Sequence, residues 1–172
     1  MPDEYYLLIE PVITQKSRRF LLLFKPKENI QYEPFNLQLK VTNKGSAHFP
    51  GGIAEKIDIT HQRENVTTQF KNILIPQIAI NENVIVNMGL IIALSEGVVS
   101  IKMNIKANDN KPIKYYQRSK FLDQPSELLD TNHWEDFLIT TSRNEINQRY
   151  TNYLLIILTF VIALFGLLNL FI

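Results

Sequence analysis

Chemistry near neutral pH would come first from the histidines, because an imidazole can take or give a proton or bind a metal there. His48, His61 and His133 stand far apart in the chain. None has a second His or any Cys at the short spacing of a ligand pair. His133 has Asp130, Glu135 and Asp136 close by in sequence. Solvated side chains in an acidic stretch account for that group more simply than a weak metal site, so no metal is expected. Ser and Thr are plentiful, yet no G-x-S-x-G elbow is present. Gly51-Gly52 follows Pro50, but no Lys-Ser/Thr comes after it and no helix opens there, so it is no phosphate loop. No catalytic residue and no cofactor emerge, and the chain reads as a non-enzyme.

Three stretches suit binding rather than turnover. Asn65-Val66-Thr67 is a glycosylation sequon in a polar segment, useful only if the domain is exported. Lys114-Tyr115-Tyr116-Gln117-Arg118-Ser119-Lys120 mixes basic and aromatic residues as nucleic-acid strands do. The net charge of +1 gives no electrostatic case for nucleic acid, and a final strand running toward anionic lipid or the acidic stretch at 121–142 is the simpler account. Trp134, Phe137 and Leu138 have the i, i+3, i+4 spacing of one helix face. That face can pack on the protein's own domain, lie in a membrane interface or meet a partner. These three are the candidate partner-binding residues.

The elements that must carry these residues fall into two kinds. Tyr153–Ile172 reads YLLIILTFVIALFGLLNLFI, without a charged residue. Twenty residues of helix reach about 30 Å, the hydrocarbon thickness of a bilayer, and a lone segment satisfies its backbone there only as a helix. Ser142-Arg143-Asn144-Glu145 has the form of a capping box, so the helix is expected to begin near Arg143. Tyr150 and Tyr153 suit the headgroup level, and Arg143 and Arg149 flank the near side of the span. No basic and apolar export signal stands at Met1-Pro2-Asp3-Glu4. The expectation is a tail anchor touching lipid through Tyr153–Ile172, with residues 1–152 cytoplasmic and an extracytoplasmic domain as the alternative.

Upstream the period is two. Phe35, Leu37, Leu39 and Val41 alternate with polar residues, as do Val99, Ile101, Met103, Ile105 and Ala107. Strands are also expected at 5–15 (with Pro11 at an edge or bend), 20–24, around Ile53, Ile57 and Ile59, at 72–76, at 83–94 with Gly89 as a bulge, and at 113–118 as the last. Lys16–Arg19 reads as a polar turn, 26–32 as a connection, 61–69 as a loop and Asn108–Pro112 as a hairpin turn. Seven or eight short strands with turn signals between them predict an antiparallel immunoglobulin-like β-sandwich over 1–120. Residues 121–142 hold no Lys or Arg before position 143 and read as an acidic, aromatic, partly helical connector. Residues 143–172 form the juxtamembrane and transmembrane helix. There is no Cys, which removes disulfides and thiolate chemistry.

FNLQLKVTNKGSAHFPGG, IPQIAINENVIVNMGLIIAL and EGVVSIKMNIKAND resemble, over residues 35–109, the CARDB-like and related immunoglobulin-like domains of prokaryotic surface proteins. The shared features are a strand ending in V-T-N-x-G, an "IP…I…NE" approach to the next strand and a G-x-Y-T-like penultimate strand. Val98 and Val99 stand where that family often has an aromatic. The resemblance implies a sandwich fold with a binding or spacing role, and an exported setting. By layout alone the chain is similar to VAMP-associated proteins, a cytosolic sandwich with a tail anchor. The expected function is a membrane-anchored binding or scaffold module that holds a protein partner at a membrane. The alternative is a small accessory subunit that contacts a larger membrane complex through its helix.

Overall fold

The computed structural model describes residues 4–15, 29–61, 66–70, 72–116 and 129–170. Two β-sheets pack face to face, and one long helix leaves from one end. The first sheet has the order β10-β9-β1-β3-β7, from Leu129–Asp130, Ile113–Tyr116, Tyr5–Gln15, Pro34–Asn43 and Asn83–Ile92. The second has the order β2-β11-β8-β4-β5, from Asn29–Ile30, His133–Thr141, Gly97–Ala107, Gly52–His61 and Val66–Phe70. β6, Ile73–Ile75, pairs the start of β4. Helix α1 runs Arg143–Leu170.

The alternating strands behave as their period requires. Phe35, Leu37, Leu39 and Val41 are buried, and so are Val99, Ile101, Met103, Ile105 and Ala107. They form one core with Leu7, Ile9, Ile57, Ile59, Ile91 and Leu138. Among the described residues Pro11 lies on a stretch of β1 flanked by β3 alone, because the described part of β9 reaches only Tyr5–Leu8. A missing N–H is tolerated at such a local edge.

Two bulges explain patterns that strict alternation does not. Along β7, Val84, Val86 and Met88 face the core, then Ile91 and Ala93 do. Parity changes because Leu37 pairs Gly89 while Gln38 pairs Asn87, which leaves Met88 as the extra residue. Gly89 has φ +90°, a conformation that glycine adopts freely, and its N–H bonds Asn87 Oδ1 at 3.0 Å. Along β4 a shift between Ala54 and Lys56 buries Ala54 fully and leaves Ile53 half-exposed, although Ile53, Ile57 and Ile59 share parity.

Several expectations are corrected. The sheets are mixed, since β9 runs parallel to β1 and β2 parallel to β11. Asn108–Pro112 is no hairpin turn. It carries the chain from β8 in the second sheet to β9 in the first, held by Tyr5 Oη–H to Asp109 Oδ2 at 2.6 Å and Tyr5 N–H to Pro112 O at 2.9 Å. The 61–69 loop is in part a strand, β5, formed against β4 despite its polar sequence. Asn29–Ile30, expected in a connection, pairs Thr140–Thr141. Where a partly helical connector was expected, 133–141 is β11, antiparallel to β8. The helical spacing of Trp134, Phe137 and Leu138 arises from a bulge: register shifts between Asp136 and Leu138, so the alternation breaks there. The expected polar turn at 16–19, the strand at 20–24, Asn65, the stretch 117–128 and the final two residues lie outside the described residues.

The two sheets are also tied by one phenol. Ile105 lies past the last β8–β11 pair, Met103 with His133, and beside the β4 bulge. Its N–H donates to Tyr115 Oη at 2.7 Å from across the core. Burial pushes the Tyr115 phenol up to about 12, so it stays neutral and keeps its hydrogen bonds. Tyr115→Phe leaves a buried donor unsatisfied and is expected to cost about 1–3 kcal/mol in a denaturant titration. In the unaltered protein the unfolded phenol ionises near 10 and the folded one near 12. The stability this group contributes is therefore full below pH 10 and falls away as pH rises to about 12.

Candidate partner interface

The histidines do not converge. His48 is exposed, whereas His61 and His133 are buried in the second sheet. His61 pairs Val99 and His133 pairs Met103, four positions apart on β8, which places them about 13 Å apart along the strand. The expected solvated His133 is thus corrected: its ring packs 6.2 Å from that of Tyr115, and Nε2 stands 3.8 Å from Glu135 Oε2. That is too long for a hydrogen bond, and burial holds its pKa down at about 4, so the ring is neutral. Among the described residues no three His, Cys, Asp or Glu side chains group as a metal site would.

The three candidate partner residues separate. Leu138 is in the core, 2 % exposed. Phe137 is partly buried against the core. Trp134 pairs Lys102 on the outer face of the second sheet and is 49 % exposed, so of the three it presents most to solvent.

A second surface is larger, and sequence reasoning passed over it. β7 ends the first sheet's order and has no neighbouring strand on its far side among the described residues. Its ten residues include no charge and no proline, the usual guards of an edge strand. The bulge that turns Ile91 and Ala93 inward turns Leu90 and Ile92 outward, and Ile85 faces out before it. Ile85 and Leu90 are 62 % and 67 % exposed. Behind them the outer face is polar: Ile85 pairs Lys40, whose Nζ meets Glu10 Oε2 at 3.0 Å, and Leu90 pairs Asn36. The surface therefore offers backbone groups along one edge and an apolar row beside them, the two contacts by which an added strand is held. The sequence signal was present in NVIVNMGLII as too many apolar residues for one buried face.

α1 is more exposed than β7. Ser142 Oγ caps it by accepting from Asn144 N–H at 3.3 Å. The reciprocal half of the expected capping box is absent, because Glu145 instead bonds Arg149 at 2.6 Å. Ile146 is buried, and from Thr151 to Asn169 every residue is exposed. The helix is long and apolar enough to cross a membrane, and none of its apolar window is buried. Thr159 Oγ1 donates to Leu155 O at 2.8 Å, which satisfies its hydroxyl within the helix.

No protein-family model matches the sequence, and a search of curated proteins gives no match.

Proposed function

We propose that this chain is a membrane-anchored, non-enzymatic binding module whose immunoglobulin-like sandwich holds a protein partner at a membrane. The observation that carries the reading is a two-sheet domain joined to a 28-residue helix whose apolar window is not buried by any described part of the protein. In water that surface is unfavourable at about 25 cal/mol per Å² of apolar area, whereas a bilayer accepts it along its whole length. The domain takes the cytoplasmic side, with Arg143 and Arg149 on the near side of the span. An extracytoplasmic domain is the alternative, and it would agree with the resemblance to exported CARDB-like domains.

The partner is an extended, apolar segment added at β7, with Trp134 as a second contact. Truncation before Tyr153 should move the protein from a membrane pellet resistant to alkaline washing into the soluble fraction. A truncated chain that stays in the pellet would refute the anchor. For the edge, full-length Ile85→Glu/Leu90→Lys is compared with the unaltered protein by co-purification from native membranes. The carboxylate introduced at position 85 would face Lys40, and the altered position 90 faces Asn36. Melting should therefore change by no more than about 0.5 kcal/mol in stability. Loss of the partner at unchanged melting supports the edge; full retention removes it, and Trp134→Ala then tests the other face. The accessory-subunit reading has its own discriminator. Replacing 153–170 by an unrelated apolar helix would release a complex held through the helix and leave one held through β7 intact.

A further inference from the structure

The strand registers define two ends of the sandwich. β11 runs toward the end where Thr140 pairs Gly97, and α1 leaves from there after Ser142 alone. The same end holds the segment joining β2 to β3 and the one joining β7 to β8. Gln31 N–H donates to Thr141 O at 3.0 Å, Tyr32 N–H to Ala93 O at 2.8 Å, Gln31 Nε2 to Leu94 O at 2.9 Å and Thr140 Oγ1 to Ser95 O at 2.6 Å. These bonds lace both sheets around the root of the helix.

That laced end presents apolar side chains to solvent beside the half-exposed Glu33 and Glu96. Tyr32, Ile92, Leu94 and Ile139 are all exposed, Ile139 at 69 % and Tyr32 at 55 %. Tyr32 is held at φ +64°, a left-handed conformation costly for an aromatic residue, and the surrounding turn keeps it there with its ring outward. The turn that imposes this conformation is closed by Glu33 N–H to Ile30 O at 3.2 Å, and it leaves the tyrosine presented to solvent.

The helix sets the distance from this end to lipid. Ile146 is buried and Tyr150, four residues on and so on the same face, is half-buried. From Tyr150 to the start of the apolar span at Tyr153 the rise is about 4.5 Å. The headgroup zone of one leaflet is about 5–7 Å thick. With α1 spanning a bilayer from Tyr153, a surface at the level of Tyr150 would lie among the headgroups.

We propose that the helix-bearing end of the sandwich is itself a lipid-contact surface, with Tyr32, Ile92, Leu94 and Ile139 lying in the interface of the bilayer that α1 enters. The proposal rests on the anchoring reading and adds a second contact to it. Its occupant follows from continuity: the same end continues, through Ser142, into a helix that is apolar from Tyr153 on. Aromatic rings with a polar tip favour that level, and Tyr32 would join Tyr150 and Tyr153 there.

The chain has no cysteine, so single labels can be placed without background. Full-length Leu94→Cys, Ile139→Cys, Leu74→Cys and Phe160→Cys, each spin-labelled, are reconstituted in phosphatidylcholine vesicles after a melting check. All four sites are exposed, and Leu74, on β6 beside the start of β4, marks the opposite end of the sandwich. Labels at 94 and 139 should collide readily with oxygen and lose access to a water-soluble nickel chelate, as the Phe160 site does, while the Leu74 site stays open to nickel. Labels at 94 and 139 that match the Leu74 site overturn the proposal and leave the anchor standing. Labels shielded from both reagents mean that protein covers this end, which also overturns it. A Phe160 site open to nickel overturns the anchor and this contact together.

Discussion

Lowering the pH from 6.5 to about 4 should cost the folded protein about 3 kcal/mol through His133 alone. The ring is 1 % exposed in its side chain, and neither nitrogen has a hydrogen-bond partner among the described residues. Burial holds its folded pKa near 4 against 6.5 in the unfolded chain. Between those values the unfolded state binds the proton and the folded state does not. Stability is thus fully present above pH 6.5 and is lost as pH falls through the window. Against a total of about 5–15 kcal/mol for a typical domain, the loss is large. Glu135 Oε2 at 3.8 Å would attract an imidazolium, yet at that distance it does not offset desolvation. The check is a series of urea titrations between about pH 7 and pH 4 on the unaltered protein and on His133→Leu. The variant should lose most of the slope in that window. An equal slope in both would place the acid sensitivity elsewhere.

The second large effect lies in the core between the sheets. Leu39 and Ile101 are both fully buried, one from each sheet. Leu39→Ala or Ile101→Ala should cost about 2–5 kcal/mol, because each removes buried methyl groups and leaves a cavity the sheets cannot close. Lys40 and Lys102 are the next residues along the same strands and face outward. Lys102→Ala should change stability by less than about 0.5 kcal/mol, and Lys40→Ala by no more than about 1 kcal/mol, because Lys40 also pairs Glu10. Denaturant midpoints read all four, and similar losses from the two sets would contradict the register.

These two predictions differ in how far the sequence alone leads to them. Leu39 and Ile101 were legible because their strands alternate without interruption, so period and burial coincide. Gly89 was legible as a bulge because only glycine there adopts the needed φ cheaply. His133 was not legible. Its strand contains a shift at Phe137, and Trp134, Phe137 and Leu138 then imitate a helix face. What makes 133–141 a strand is β8, far earlier in the chain, and local pattern does not encode that pairing. β5 fails in the same way, since its residues become a strand only beside β4. Asn108–Pro112 carried a true turn signal, but a turn that closes a hairpin and one that crosses between sheets use the same residue types. The β7 edge was half legible: its excess of apolar residues was visible, while its lack of an outer neighbour is a property of sheet order.

Ser142 is the one residue between β11 and α1, and Ile146 is buried one turn later. A tethered domain on a long linker tumbles independently of its anchor. Here a single residue separates strand from helix, so in the anchored state proposed above the domain and helix should tilt together. An apolar helix adjusts to bilayer thickness by leaning, and a thinner membrane makes it lean further. The lean would be carried directly into the angle and height of β7 above the lipid. Bilayer thickness would thus set how the docking edge is presented, with no change inside the domain.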